Sequence, residues 1–151
     1  MTAFATPADV LAFAIREEEG AAAFYQALAA RATENRMRRI FESFAREEEL
    51  HRGKLRNVRV EGPFHLPPEL TVEMEQCEFV VPEVPQPDMD YADALRLAIR
   101  KEWAAFRLYS ILAQNTDDTE VRKLLNGLAE EEARHHATFR EELAQVEADG
   151  A

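Results

Sequence analysis

The sequence predicts an all-α four-helix bundle made of two repeated antiparallel hairpins joined by one long crossover connection. Three observations carry that prediction. Apolar residues recur every three or four positions through four long segments. Shifted by 84 positions, the sequence aligns with itself without a gap, and 17 of the 50 positions in 7–56 are identical to their partners in 91–140. Between the two copies lie six of the seven prolines, a density that blocks a continuous helix.

The elements follow in order. Pro7–Arg31 opens with Thr6 as N-cap and Pro7 at the first helical position. Glu34 or Asn35 opens a second segment running to about Val58. A third spans Tyr91–Gln114 after Asp88 and Asp90, and a fourth runs from Asp117–Thr119 to about Glu147, before Gly150. The connections within each pair are a few residues long, which makes antiparallel hairpins. Hairpin 1 covers about 7–58 and hairpin 2 about 91–148. Each is amphipathic and must pair with its twin. The intervening Arg59–Asp90 ("EGPFHLPPEL", "VPEVPQPDMD") favours an extended course. About 30 extended residues reach on the order of 100 Å, against about 37 Å for a 25-residue helix, so this connection can cross the whole bundle. "CEFVV" at Cys77–Val81 alternates like a strand but is too short to carry a sheet.

At 151 residues the chain is expected to be one domain with a real core. A net charge of −11 argues against nucleic acid as a partner. No apolar run approaches 18 residues, so no membrane span is expected. The N-terminus shows no basic segment followed by an apolar stretch, so no secretory signal is expected either. Cys77 is the single cysteine; it excludes internal disulfides and a four-cysteine metal knuckle, and it fits a reducing, cytoplasmic setting.

The acidity raises a sharper question, which is whether any of the 22 glutamates is buried for a purpose. At 100° per residue, the first helix carries a seam of Leu11, Ala14/Ile15, Ala22, Tyr25 and Leu28/Ala29, and Glu18 fills its gap. The second has Met37, Ile40/Phe41, Phe44, Leu55 and Val58, with Glu48 and His51 in the gap. The third repeats the first (Leu95, Ala98/Ile99, Glu102, Phe106, Tyr109, Leu112). The fourth repeats the second, with Val121, Leu124/Leu125 and Leu128, then Glu132 and His135, then Phe139, Leu143 and Val146. Six polar residues therefore fall at mid-helix, in the stripes that face the core, with no lysine or arginine in those seams to pair with them. Burying four carboxylates is prohibitively costly without compensation. Two divalent cations supply four positive charges, and Glu and His at i and i+3 reach one centre together. One histidine per metal among carboxylates suits iron or manganese, with zinc possible.

A single Glu-x-x-His match means nothing here, since this composition yields roughly 0.6 matches to four histidines by chance. Two matches in register with a gapless repeat, each with a seam Glu and Tyr at matched positions, are a different matter. One Glu plus one Glu-x-x-His per hairpin is the inward-facing pattern of dinuclear carboxylate bundles.

On "AIREEEGAAAFY", "FAREEELH", "AIRKEWAAFRLY" and "LAEEEARH", the sequence resembles the rubrerythrin branch of the ferritin-like superfamily. The resemblance covers both hairpins. It implies a ferritin-like bundle with two iron ions bridged by Glu48 and Glu132. Glu18 and His51 would be terminal on one ion, Glu102 and His135 on the other, and Tyr25 and Tyr109 would orient carboxylates. It also implies an oxidoreductase that reduces hydrogen peroxide or dioxygen through those six residues. The chain departs from the family in two respects. One cysteine cannot build a rubredoxin module, so electrons must come from an external donor, rubredoxin-like or a flavoprotein. The additional glutamate that many rubrerythrins place one turn beyond the third-helix ligand is Ala105 here, and Ala21 in the other half.

Non-catalytic iron binding or storage is the alternative, and a metal-free scaffold fares worst because it leaves four carboxylates unpartnered. A homodimer is expected, with hairpin exchange made plausible by the long linker. Among the remaining residues, Glu47 lies on the stripe's flank and recurs as Glu131, leaving a supporting or rim role open. Glu49 points away and becomes Ala133 in the second copy. His136 reads as surface, His65 and Cys77 as incidental linker residues, and Trp103 and Phe106 as core or dimer contacts.

Overall fold

The computed structural model describes residues 6–58 and 89–150. Four helices account for nearly all of them: α1 (Pro7–Arg31), α2 (Asn35–Asn57), α3 (Tyr91–Gln114) and α4 (Thr119–Gly150). Among the described residues there is no strand. The expected ends agree to within a residue or so, except that α4 continues to Gly150. The crossover, "CEFVV", His65 and Cys77 lie outside the described residues.

Local chemistry sets the starts. Thr6 Oγ1 accepts from the Asp9 amide (3.1 Å) while the Thr6 amide donates to Asp9 Oδ2 (3.2 Å), a capping box before Pro7. Asp90 and Asp93 repeat the device on α3. On α4, Asp118 Oδ1 accepts from the amides of Glu120 (3.0 Å) and Val121 (3.1 Å). Such caps stabilise a helix by about 1 kcal/mol each. The repeat extends into the loops, where Arg38 donates to the Ala32 carbonyl (3.2 Å) and its counterpart Arg122 donates to the Thr116 carbonyl (2.6 Å).

The helices pair α1 with α2 and α3 with α4 inside the hairpins, and α1 with α3 and α2 with α4 between them. Both cross-hairpin pairs are antiparallel. Glu18 lies beside Tyr109 and Tyr25 beside Glu102; His51 meets Glu131 and His135 meets Glu47. A pseudo-twofold axis therefore relates the hairpins, and α2 and α3 run parallel. The end of α2 and the start of α3 consequently lie at opposite ends of the bundle.

Apolar packing divides into two clusters. One joins Val10, Phe13, Leu55, Leu108, Leu112, Val121 and Leu125. The other joins Phe24, Tyr25, Leu28, Phe41, Leu95 and Phe139. Complete burial of one such side chain stabilises by roughly 1.5–3 kcal/mol. Val10, Phe13 and Phe24 lie outside the narrow seam read for the first helix yet are buried, because α1 packs against two neighbours at once. No helix among the described residues is long and apolar enough to cross a membrane.

Candidate metal centre

Between the two apolar clusters, the mid-helix positions of all four helices meet. Glu18 from α1, Glu48 and His51 from α2, Glu102 from α3, and Glu132 and His135 from α4 are brought together, the glutamates at most 2% exposed. They form two overlapping groups of four: Glu18, Glu48, His51 and Glu132, and Glu48, Glu102, Glu132 and His135. Glu48 and Glu132 belong to both. Each group holds one ligand atom per residue, all within 4.8 Å of one another.

Both histidines aim Nδ1 inward. His51 Nδ1 lies 2.7 Å from Glu132 Oε1 and 3.6 Å from Glu18 Oε1, and His135 Nδ1 lies 3.3 Å from Glu48 Oε1 and 3.5 Å from Glu102 Oε2. The rings are nearly parallel, with centroids 5.8 Å apart. Their outward Nε2 atoms contact carboxylates of the opposite hairpin, His51 with Glu131 and His135 with Glu47. The supporting role left open for this matched pair is thus filled. The only sequence signal for it was that both glutamates recur one residue before a seam glutamate.

The tyrosines also reach across. Tyr25 Oη donates to Glu102 Oε1 (2.6 Å), and Tyr109 Oη donates to Glu18 Oε1. Each therefore orients the glutamate of the other hairpin. Both hydroxyls are fully buried beside carboxylates, which pushes their pKa well above the ordinary value and keeps them protonated donors.

The cluster's electrostatics are those of a cation site. Burial, then the neighbouring carboxylates, pushes the pKa of Glu48 and Glu132 well up. Burial opposes charge on His51, yet Glu18 and Glu131 outweigh it and raise its pKa. Burial likewise opposes ionisation of Glu102, but Glu132, His135 and Tyr25 lower its pKa. Seven buried polar atoms of the cluster make no hydrogen bond to any described residue outside it and face one another instead: Glu18 Oε2, Glu48 Oε1, both Glu132 oxygens, Glu102 Oε2 and the two histidine Nδ1 atoms. Orphaned buried acceptors are rare in folded proteins. Here they point at common centres, and the hard oxygen and imidazole donor set fits one or two divalent transition metals.

No lysine or arginine lies in the seams themselves, but Lys101, beside one of them, is buried (9% exposed). It lines a cavity of about 30 Å³ together with the four site glutamates, and its Nζ lies 5.1 Å from the centroid of the Phe24 ring. The long side chain carries its charge inward from a flank position, which face assignment from Cα geometry does not capture. One ammonium still leaves most of the carboxylate charge uncompensated. Ala21, Ala104 and Ala105 line the same cavity on the α1–α3 side, so the positions where a further glutamate was missed do border the centre. On the α2–α4 side a cleft of about 350 Å³ reaches both histidines past Glu47, Glu131, Lys54 and Arg134. Of the remaining aromatic and histidine positions, His136 is partly buried and Trp103 is 51% exposed.

Among curated proteins none matches this chain. A solved structure of a hypothetical protein from Pyrococcus furiosus is similar, with 26% identity and a TM-score of 0.65, covering 89% of this chain and 86% of that one. Residues 6–145 match the ferritin-like domain family. With nearly the whole described bundle inside that match, the chain belongs to the ferritin-like domain family.

Proposed function

We propose that the bundle holds a dinuclear iron centre of the rubrerythrin type and works as an oxidoreductase. It reduces hydrogen peroxide or dioxygen with electrons from an external donor. The observation carrying this reading is the pair of four-residue groups that share Glu48 and Glu132, with their orphaned buried atoms. Glu48 and Glu132 would bridge; Glu18 and His51 would complete one site, Glu102 and His135 the other. Manganese or zinc would fit the same donors.

Two irons, when bound, supply the redox electrons and the Lewis acidity that this chain's side chains lack. The residues supply the rest. Glu131 and Glu47 anchor Nε2 of each imidazole, which leaves Nδ1 free to coordinate. Tyr25 and Tyr109 hold one oxygen of Glu102 and Glu18 and leave the other for the centre. The apolar clusters above and below exclude bulk water.

Metal analysis after anaerobic reconstitution with ferrous iron tests the centre, with two irons per chain expected. Fewer than about one would sink the reading. Peroxide is then added to the ferrous protein. Fast stoichiometric oxidation followed by turnover with a reduced rubredoxin or flavoprotein supports the enzyme. Slow oxidation with many irons accumulating per chain supports the second reading, an iron-binding or storage protein, for which the same buried carboxylates also speak.

A further inference from the structure

The two hairpins match at the metal centre but differ on their outer faces. In hairpin 1, Glu19 pairs with Arg56 (2.9 Å) and lies 3.9 Å from Arg52, which itself pairs with Glu49 (2.7 Å). These four residues satisfy one another's charges. The repeat carries these four positions to Trp103, Arg140, His136 and Ala133 in hairpin 2. Both acids are gone, and one is now an indole. Trp103 is 51% exposed, with its ring centroid 5.4 Å from that of Phe106 and 5.6 Å from that of His136. Arg140 and Arg100 have no acidic partner among the described residues. They line a groove of about 450 Å³ with Ile99 and Leu143 at its apolar floor, while Glu147 in the same groove is taken up by Arg96 (3.1 Å).

We propose that this face of the α3–α4 hairpin, centred on Trp103, docks an acidic partner protein. An exposed indole flanked by guanidiniums that have no acidic partner among the described residues has the composition of an interaction hot spot. A small anion would satisfy the arginines but leave the indole in water. The net charge of −11 opposes nucleic acid, whereas basic groups grouped around an exposed indole on an acidic molecule favour an acidic protein. Trp103 follows Glu102 and His136 follows His135, so a docked partner sits one residue from two residues of the centre. Its identification as the electron donor rests on the redox reading above; the docking does not.

Trp103 is the chain's single tryptophan, so its emission reports on the face directly. The probe is a peptide of eight glutamates, added to iron-loaded and to metal-free protein at low salt. The expected result is a saturable emission change that weakens about tenfold or more when salt rises to about 0.2 M. Arg100→Glu with Arg140→Glu should weaken binding at least tenfold. The matched reversals Arg16→Glu with Arg56→Glu in hairpin 1 should change it less than about twofold. All four arginines are exposed, and unchanged helical circular dichroism confirms folding. Equal loss from both pairs of reversals, or an equal response to an octalysine peptide, overturns the proposal. So does a dimer that Trp103→Ala dissociates, since the face is then a contact between copies. No turnover is measured, so a failed redox reading leaves the docking result standing, and the reverse holds too.

Discussion

Replacing Tyr25 by phenylalanine isolates one hydroxyl. The ring is fully buried and packs against Phe24, Phe41, Phe44 and Phe139, contacts that phenylalanine keeps. What is lost is the 2.6 Å hydrogen bond to Glu102 Oε1, donated across the hairpin boundary between two buried side chains. A hydrogen bond to a charged group contributes about 1.5–3 kcal/mol. For a chain of this size, about 2 kcal/mol lowers the melting temperature of the metal-free protein by about 4–8 °C. Losing a residue that orients a ligand costs about 10–100-fold in metal affinity. The loss should fall on the site completed by Glu102 and His135. Tyr109→Phe should instead weaken the site completed by Glu18 and His51, since its hydroxyl bonds Glu18. Two-step cobalt titration followed by absorbance separates the two sites, and thermal melts give the stability. If Tyr25→Phe left both affinities within about twofold of wild type and the melting temperature unchanged, the hydroxyl would be an idle core group and the reasoning would be refuted.

Three further outcomes follow from the same structure. The raised pKa values of Glu48, Glu132 and His51 mean that the metal-free fold binds protons more tightly than the unfolded chain, so its stability falls as pH rises, above about 4.3 through the two glutamates and above about 6.5 through the histidine. Glu102 and Glu131 have lowered values, and their contribution is lost only below about pH 4.3. The metal-free protein should therefore melt higher at about pH 6 than at about pH 8, and the metal-loaded protein should show the reverse order because protons compete for its ligands. Glu48→Gln with Glu132→Gln should abolish two-metal binding yet raise the metal-free melting temperature at about pH 8, because it removes two buried like charges; a lower value would place the repulsion elsewhere. Phe139→Ala, which leaves a void among Phe41, Phe44 and Tyr25, should cost about 3–5 kcal/mol in denaturant titration without changing the metal count.

Much of this protein was determined by the sequence alone. Helix ends are local events: Thr6, Asp90 and Asp118 cap nearby amides, so the helix starts expected from the sequence fall within a residue or so of the observed ones. The six centre residues were legible for a related reason. Side-chain direction along a helix is periodic, and the repeat supplied a second copy to check each position against. The rest depended on which helix lies next to which. Tyr25 serves Glu102 rather than the glutamate of its own hairpin, and His51 leans on Glu131, because the hairpins pair antiparallel about a pseudo-twofold axis, and no local pattern records that choice. Lys101 is buried because a flexible stem can bend a flank charge inward once a neighbour covers it. The contrast between the paired charges at Glu19 and the exposed indole at Trp103 is likewise invisible until both faces are built, since a residue is paired or exposed only by what packs against it.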